Sequence, residues 1–139
     1  MAVFVLALSV AAPFLLWPVE IFLPYPHLLE EVLKLVLVLM ILKKSGSFSG
    51  QIGLGLASGA LFAFSESVLY FLGIFQIGQP VLFFQRLALT IPLHTGTTLL
   101  ILLFGLKKKE FVLVGFLLAV ALHYGYNQAI KESFSGWLH

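Results

Sequence analysis

Residues 80–109 read PVLFFQRLALTIPLHTGTTLLILLFGLKKK, and this stretch decides the fold. Between Pro80 and Gly105 its ionisable side chains are Arg86 and His94 alone. The run exceeds the roughly 20 residues with which an α-helix crosses about 30 Å of hydrocarbon. It stops at Lys107, Lys108 and Lys109, charges that suit a membrane surface. The same alternation of long apolar run and short polar break recurs on both sides of it. Towards the amino terminus, Gly78 and Pro80 separate it from a helix expected over 51–75, and Lys43, Lys44 and the segment 45–50 separate that one from a helix over 26–42. Pro18, Pro24 and Pro26 are expected to break the chain after a first helix over 2–17. Towards the carboxyl terminus the sequence predicts a helix over 110–130, with Trp137 in an interfacial tail. The fourth helix is expected over 80–106, with Pro92 kinking it and freeing a carbonyl near mid-membrane. Gly55, Gly59 and Ala63 recur every fourth residue and mark a face for close helix packing.

The expected fold is therefore all-α: a polytopic membrane protein of about five transmembrane helices, forming a single integral membrane domain over residues 1–139. With 60% apolar and 10% charged residues, a chain of 139 residues cannot bury its apolar surface as a soluble domain. The first run lacks a basic leader, so it is read as an uncleaved helix in preference to a signal peptide. The net charge of +2 comes from lysines beside apolar runs, where they set topology; a nucleic-acid partner is excluded. Lys43, Lys44 and Lys107 to Lys109 fall on one side of the membrane and Arg86 and Lys131 on the other. The first group is expected to be cytoplasmic, with the amino terminus inside and the carboxyl terminus outside. The absence of cysteine removes disulfides, thiolate metal sites and a thiol nucleophile. The absence of aspartate removes catalysis by a pair of aspartates and leaves glutamate for acid chemistry.

Ionisable residues inside apolar helices are costly, about 2.5–3.5 kcal/mol each at helix centre, and usually face a cavity or one another. Here they are Glu30, Glu31 and Lys34 in the second helix, Glu66 in the third, His94 in the fourth and His123, with Asn127, in the fifth. Phe62 and Glu66, and likewise His123 and Asn127, are four apart and share a face. Arg86, Thr90, His94 and Thr98 form a similar ladder. At 1.5 Å per residue, Glu66, His94 and His123 each lie about 12 Å from the extracytoplasmic helix end, and Glu31 about 8 Å. Helices of alternating direction thus contribute to one layer, where chance placement would scatter these residues between leaflets.

In order along the chain these residues read EExxK at Glu30 to Lys34, FxxxE at Phe62 to Glu66, a lone His94, and HxxxN at His123 to Asn127. The pattern resembles the PrsW family of bacterial and archaeal intramembrane proteases. That family shares a superfamily with the type II CAAX prenyl endopeptidases and bacteriocin-processing proteins. The CAAX branch has a longer first motif ending in arginine and a histidine closing the second, so Lys34 and Glu66 favour the PrsW branch. The resemblance implies cleavage of a membrane-anchored protein, such as an anti-sigma factor, near the extracytoplasmic face of a prokaryotic cell membrane.

Peptide hydrolysis needs an activated water and stabilisation of an oxyanion. Glu30, Glu31, Glu66, His94, His123 and Asn127 are the candidate catalytic residues, with Lys34 and Phe62 in support. Glu31 or Glu30, which sequence does not rank, would take the water's proton while Lys34 holds the other carboxylate ionised. His94 would position the water or serve the leaving amine; His123 and Asn127 would donate to the oxyanion. A second version places zinc among Glu66, His94 and His123, since two histidines and a carboxylate leave a position for water. There is no HExxH signature. His27 is read as interfacial, and Ser58 as part of the packing stripe and not a nucleophile. Two non-enzymatic alternatives are a membrane scaffold and a small ion or proton carrier; a carrier would want a second polar layer, and the cytoplasmic half supplies none.

Overall fold

The computed structural model describes residues 1–43, 46–76 and 80–135, with the backbone alone for residues 72–76, 80, 82 and 131–135. Its elements are α1 (Ala2–Glu20), α2 (Pro26–Lys43), α3 (Phe48–Gln76), α4 (Pro80–Lys107), a short 3-10 turn (Lys109–Phe111) and α5 (Val112–Ser135). The expectations for Lys44, Gly78 and Trp137 fall outside the described residues. One expectation is corrected. Pro18 does not end α1, which passes through Pro13 and Pro18 to Glu20. A proline removes one amide donor, a loss that a helix surrounded by packing partners tolerates. The chain turns only afterwards, where Phe22 and Leu23 amides donate to the carbonyls of Val19 and Glu20. Pro92 likewise lies inside α4.

Four helical stretches are long and apolar enough to cross a membrane: Ala2–Glu20, Phe48–Phe71, Phe83–Lys107 and Lys109–Ile130. The exception is α2, whose 18 residues include Glu30, Glu31, Lys34 and Lys43. Packing explains how so charged a helix sits in this bundle. It touches each of α1, α3, α4 and α5, whereas among the described residues the others meet only in the succession α1–α3–α4–α5. The four apolar helices thus form an arc around α2.

On α2, residues 27, 30, 31, 34, 37, 38 and 41 follow the spacing of a single helical face. All seven are buried. The half of this stripe nearer Lys43 is apolar: Leu37, Val38 and Ile41 pack with Val5, Ile101, Leu102, Val112 and Ala119. The other half is His27, Glu30, Glu31 and Lys34, so the polar layer lies entirely within the bundle. Outward-facing side chains such as Phe4, Phe14, Phe84, Leu89 and Leu117 are exposed and apolar, as lipid contact requires.

Between apolar helices in lipid, close packing replaces the hydrophobic drive available in water. The α3 stripe provides that packing. A Cβ on Gly59 would stand 2.7 Å from Thr95 Cα and 2.8 Å from the His94 carbonyl oxygen, and one on Gly55 would stand 2.6 Å from Leu102 Cδ2. Gly115 brings α5 as close to Ile101 of α4, at 2.9 Å. Serines join α1 to α3. Ser9 Oγ lies 2.7 Å from Ser58 Oγ, and Ser65 Oγ donates to the carbonyl of Val10.

Candidate active site

The polar end of the α2 stripe meets α3, α4 and α5 at one level. Lys34, with no exposed surface, donates from Nζ to Glu31 Oε1 at 2.6 Å and to Thr97 Oγ1 of α4 at 2.9 Å. The same Glu31 oxygen lies 2.7 Å from His123 Nδ1 of α5. An ionised carboxylate only accepts, so in this contact His123 Nδ1 is the donor. His123 Nε2 lies 3.7 Å from Glu30 Oε2. His94 Nε2 lies 3.9 Å from the same Glu30 oxygen and 2.7 Å from Glu66 Oε2.

The two imidazoles stand edge to face with centroids 5.1 Å apart. Phe62, one turn before Glu66, stacks on His94 at 5.1 Å with 21° between the planes, which fixes the ring's orientation. The His94 carbonyl accepts from Thr98 Oγ1 at 2.7 Å, tying that turn of α4 together. On the far side of Glu66, Arg86 Nη2 donates to Oε1 at 2.8 Å, and its guanidinium lies over the Tyr70 ring at 3.8 Å.

Glu30, Glu31, Lys34, Phe62, Glu66, His94 and His123 are therefore brought together, although Glu31 and His123 are 92 residues apart in sequence. Asn127 is half-buried one turn beyond His123 on α5. The two neighbouring glutamates, equivalent in sequence, differ in space. Glu31 Oε1 is engaged by Lys34 and His123 while its Oε2 is buried without a hydrogen-bond partner; Glu30 Oε2 is likewise buried without one, and it alone of the two residues' oxygens faces both histidines.

This orphaned oxygen bears on a metal. The ligand atoms of Glu30, His94 and His123 all lie within 4.8 Å of one another. Two imidazoles and a carboxylate are a donor set suited to zinc, and the Glu31–His123 contact would serve as the outer-shell bond that orients His123 towards such an ion. The residues fit a metal. The trio differs from the one expected, because it contains Glu30 where sequence suggested Glu66, whose Oε1 is held by Arg86.

Four participants escaped the sequence. Arg86 stands in the sequence as a topology charge and as one rung of the α4 polar ladder, but its partner Glu66 is not legible there, although an arginine six residues inside an apolar helix signals a buried partner. His27, expected at the interface, is buried, with its ring 5.8 Å from that of His123 and 5.6 Å from that of Tyr124. Its i, i+3, i+4 relation to Glu30 and Glu31 carried the signal. Thr97 had none beyond its place on the α4 ladder face. Glu20 lines a narrow cleft, with room for about one water, together with Pro13, Trp17, Glu30, Phe62, Glu66, Leu69 and Tyr70.

Fold and site together define a helical integral membrane protein with a carboxylate and imidazole centre enclosed by its spans. The family model for PrsW family intramembrane metalloproteases matches residues 4–138, and the chain belongs to that family. It is an intramembrane protease. No curated protein and no solved structure matches it.

Proposed function

We propose that this protein hydrolyses a peptide bond in a membrane-anchored protein near the extracytoplasmic face, at a centre where Glu30, His94 and His123 hold a divalent metal, zinc being the metal their chemistry suits. The observation that carries this reading is the convergence of those three residues' ligand atoms within 4.8 Å, inside an apolar bundle. When bound, zinc supplies Lewis acidity, polarising a carbonyl and making water a stronger acid. The remaining work falls to the chain. Glu31, itself held by Lys34, accepts from His123 Nδ1 and so keeps Nε2 directed at the centre.

Glu66 is the second carboxylate that reaches the same point, and it lines the cleft with Glu30. Arg86 anchors its Oε1, leaving Oε2 to take the proton of the attacking water. The water oxygen bonds to the carbonyl carbon, the C–N bond breaks, and the same proton passes from Glu66 to the departing nitrogen. Asn127, a turn beyond His123, donates to the oxyanion. Orientation is supported by the lysines at the ends of α2 and α4. Arg86 is engaged with Glu66 and does not count as a loop charge, which leaves the extracytoplasmic side poorer in cations.

The test is purified protein in nanodiscs, assayed for metal stoichiometry and for cleavage of membrane-anchored peptides. Glu30→Gln, His94→Ala and His123→Ala should lose both metal and cleavage. Glu66→Gln should keep the metal while kcat falls about 10²–10⁴-fold. Cleavage unimpaired in Glu30→Gln, Glu66→Gln and His123→Ala alike would remove the proposal. Cleavage by metal-free protein that still needs Glu30 would make that residue the base.

A further inference from the structure

The turn of α4 that carries His94 is weakly held by its own backbone. Pro92 brings no amide to the turn before it, and Gly96, two residues beyond His94, has open space where a Cβ would stand. Side chains make up the difference. The His94 carbonyl accepts from Thr98 Oγ1 at 2.7 Å and from Thr97 Oγ1 at 3.3 Å. Such a bond to the preceding turn is what a threonine inside an apolar helix ordinarily makes. Thr97 does more, because its oxygen also accepts from Lys34 Nζ of α2, 63 residues away, at 2.9 Å. A hydroxyl both accepts and donates, so Thr97 takes the ammonium on its lone pair and turns its hydrogen to the His94 carbonyl. The same Nζ donates to Glu31, which accepts from His123 Nδ1, and it lies 5.3 Å from the centre of the Phe62 ring that stacks on His94.

We propose that Thr97 is a positioning residue: through Lys34 it fixes the place of His94 relative to His123, and with it the affinity of the centre for metal. The inference rests on the reading of Glu30, His94 and His123 as a metal centre. A chain of contacts runs from His123 of α5 through Glu31 and Lys34 of α2 to Thr97 and the His94 carbonyl of α4. Every residue in it is buried, so water does not compete for its bonds. The two imidazoles depend on it unequally. His123 is oriented by a carboxylate at Nδ1, whereas Nδ1 of His94 is buried without a hydrogen-bond partner. Placement of the His94 ring therefore falls to its stack with Phe62 and to its backbone, and Thr97 is where that backbone is tied to α2. Valine at position 97 would keep the shape and lose both bonds, leaving one donor of a buried ammonium unmet and the His94 turn free to move away from α2.

The experiment compares the full chain in nanodiscs with Thr97→Ser, which keeps the hydroxyl, and Thr97→Val, which keeps the shape. Zinc affinity is read by chelator competition, ligand geometry from the visible absorption of cobalt-loaded protein, and kcat and KM separately on a membrane-anchored peptide at saturating zinc. Thr97→Val should weaken zinc binding about 10–100-fold, as loss of a partner outside the ligands does. It should also shift the cobalt bands and lower kcat with KM unchanged. Thr97→Ser should restore all three properties. In a Lys34→Met background Thr97→Val should have no further effect on zinc affinity, because the link is already cut; if Lys34→Met does not fold, the contrast between serine and valine decides. Wild-type zinc affinity and cobalt spectrum in Thr97→Val, equal impairment of Thr97→Ser, or effects of Thr97→Val and Lys34→Met that add, each overturns the role. Weaker zinc binding by Thr97→Val in a protein that cleaves no peptide would uphold the role and sink the peptidase reading. Zinc-dependent cleavage indifferent to Thr97→Val would do the reverse, and wild-type protein that takes up no metal would remove the metal centre and this role together.

Discussion

Two adjacent glutamates with different fates show how side-chain environment assigns roles here. Lys34 lies between Glu31 and Thr97 with no exposed surface, so its ammonium is compensated by one carboxylate and one hydroxyl. Lys34→Met should leave Glu31 buried beside His123 without its main counter-charge, costing about 3–5 kcal/mol in denaturant unfolding in mixed micelles. Removing both charges, as in Lys34→Met with Glu31→Gln, should recover part of that loss, since the penalty belongs to the unpaired partner. Glu31→Gln alone should lower metal affinity about 10–100-fold in chelator competition, because it weakens the bond orienting His123 and removes no donor. Glu30→Gln should instead abolish stoichiometric metal. Sequence could nominate the pair, since both lie on the inner face of α2, but the choice between them depends on His123 and Thr97 from other helices.

Helices are placed by their smallest residues. Gly59 permits the contact that sets His94 at its depth and rotation, with backbone on the far side that cannot yield as a flexible side chain would. Gly59→Ala is expected to separate α3 from α4, lower stability by about 1–3 kcal/mol and reduce metal occupancy, because His94 shifts away from Glu30. Gly96→Ala, two residues after His94 and with open space at its Cβ, is the matched control and should change neither property. Thermal unfolding and metal analysis of the two variants side by side would check the contrast. The every-fourth-residue spacing of Gly55, Gly59 and Ala63 made this face legible in the sequence. The course of α1 past Pro18 was not, because a proline's effect depends on whether surrounding packing holds the helix through the lost donor.

Across the molecule, charge is sorted twice: the lysines that end α2 and α4 to one rim, and the glutamates, histidines and Lys34 to a layer nearer the other. The chain lacks cysteine, so a single introduced thiol is unique. Phe22→Cys, in the α1–α2 turn, should react with a membrane-impermeant maleimide from outside intact cells, and Gly46→Cys, between α2 and α3, only after the membrane is opened. The opposite result would invert the proposed orientation and put the centre towards the cytoplasm. The arc of α1, α3, α4 and α5 around α2 also explains why the most charged helix needs no lipid-facing surface for its charges. Its exposed face is apolar instead, with Leu28, Val32, Val36 and Leu39 turned outward.

By itself the sequence determined the membrane setting and the succession of helices, because both follow from run length and residue type. It also determined which residues of one helix share a face, since that depends only on helical periodicity. Only the tertiary structure decided which glutamate oxygen faces the two histidines, that Arg86 serves Glu66, and that Glu20 joins the cleft. Those outcomes depend on how helices are rotated against one another, and that rotation is set by contacts such as Gly59 on Thr95 and Glu31 on His123, between residues far apart in the chain.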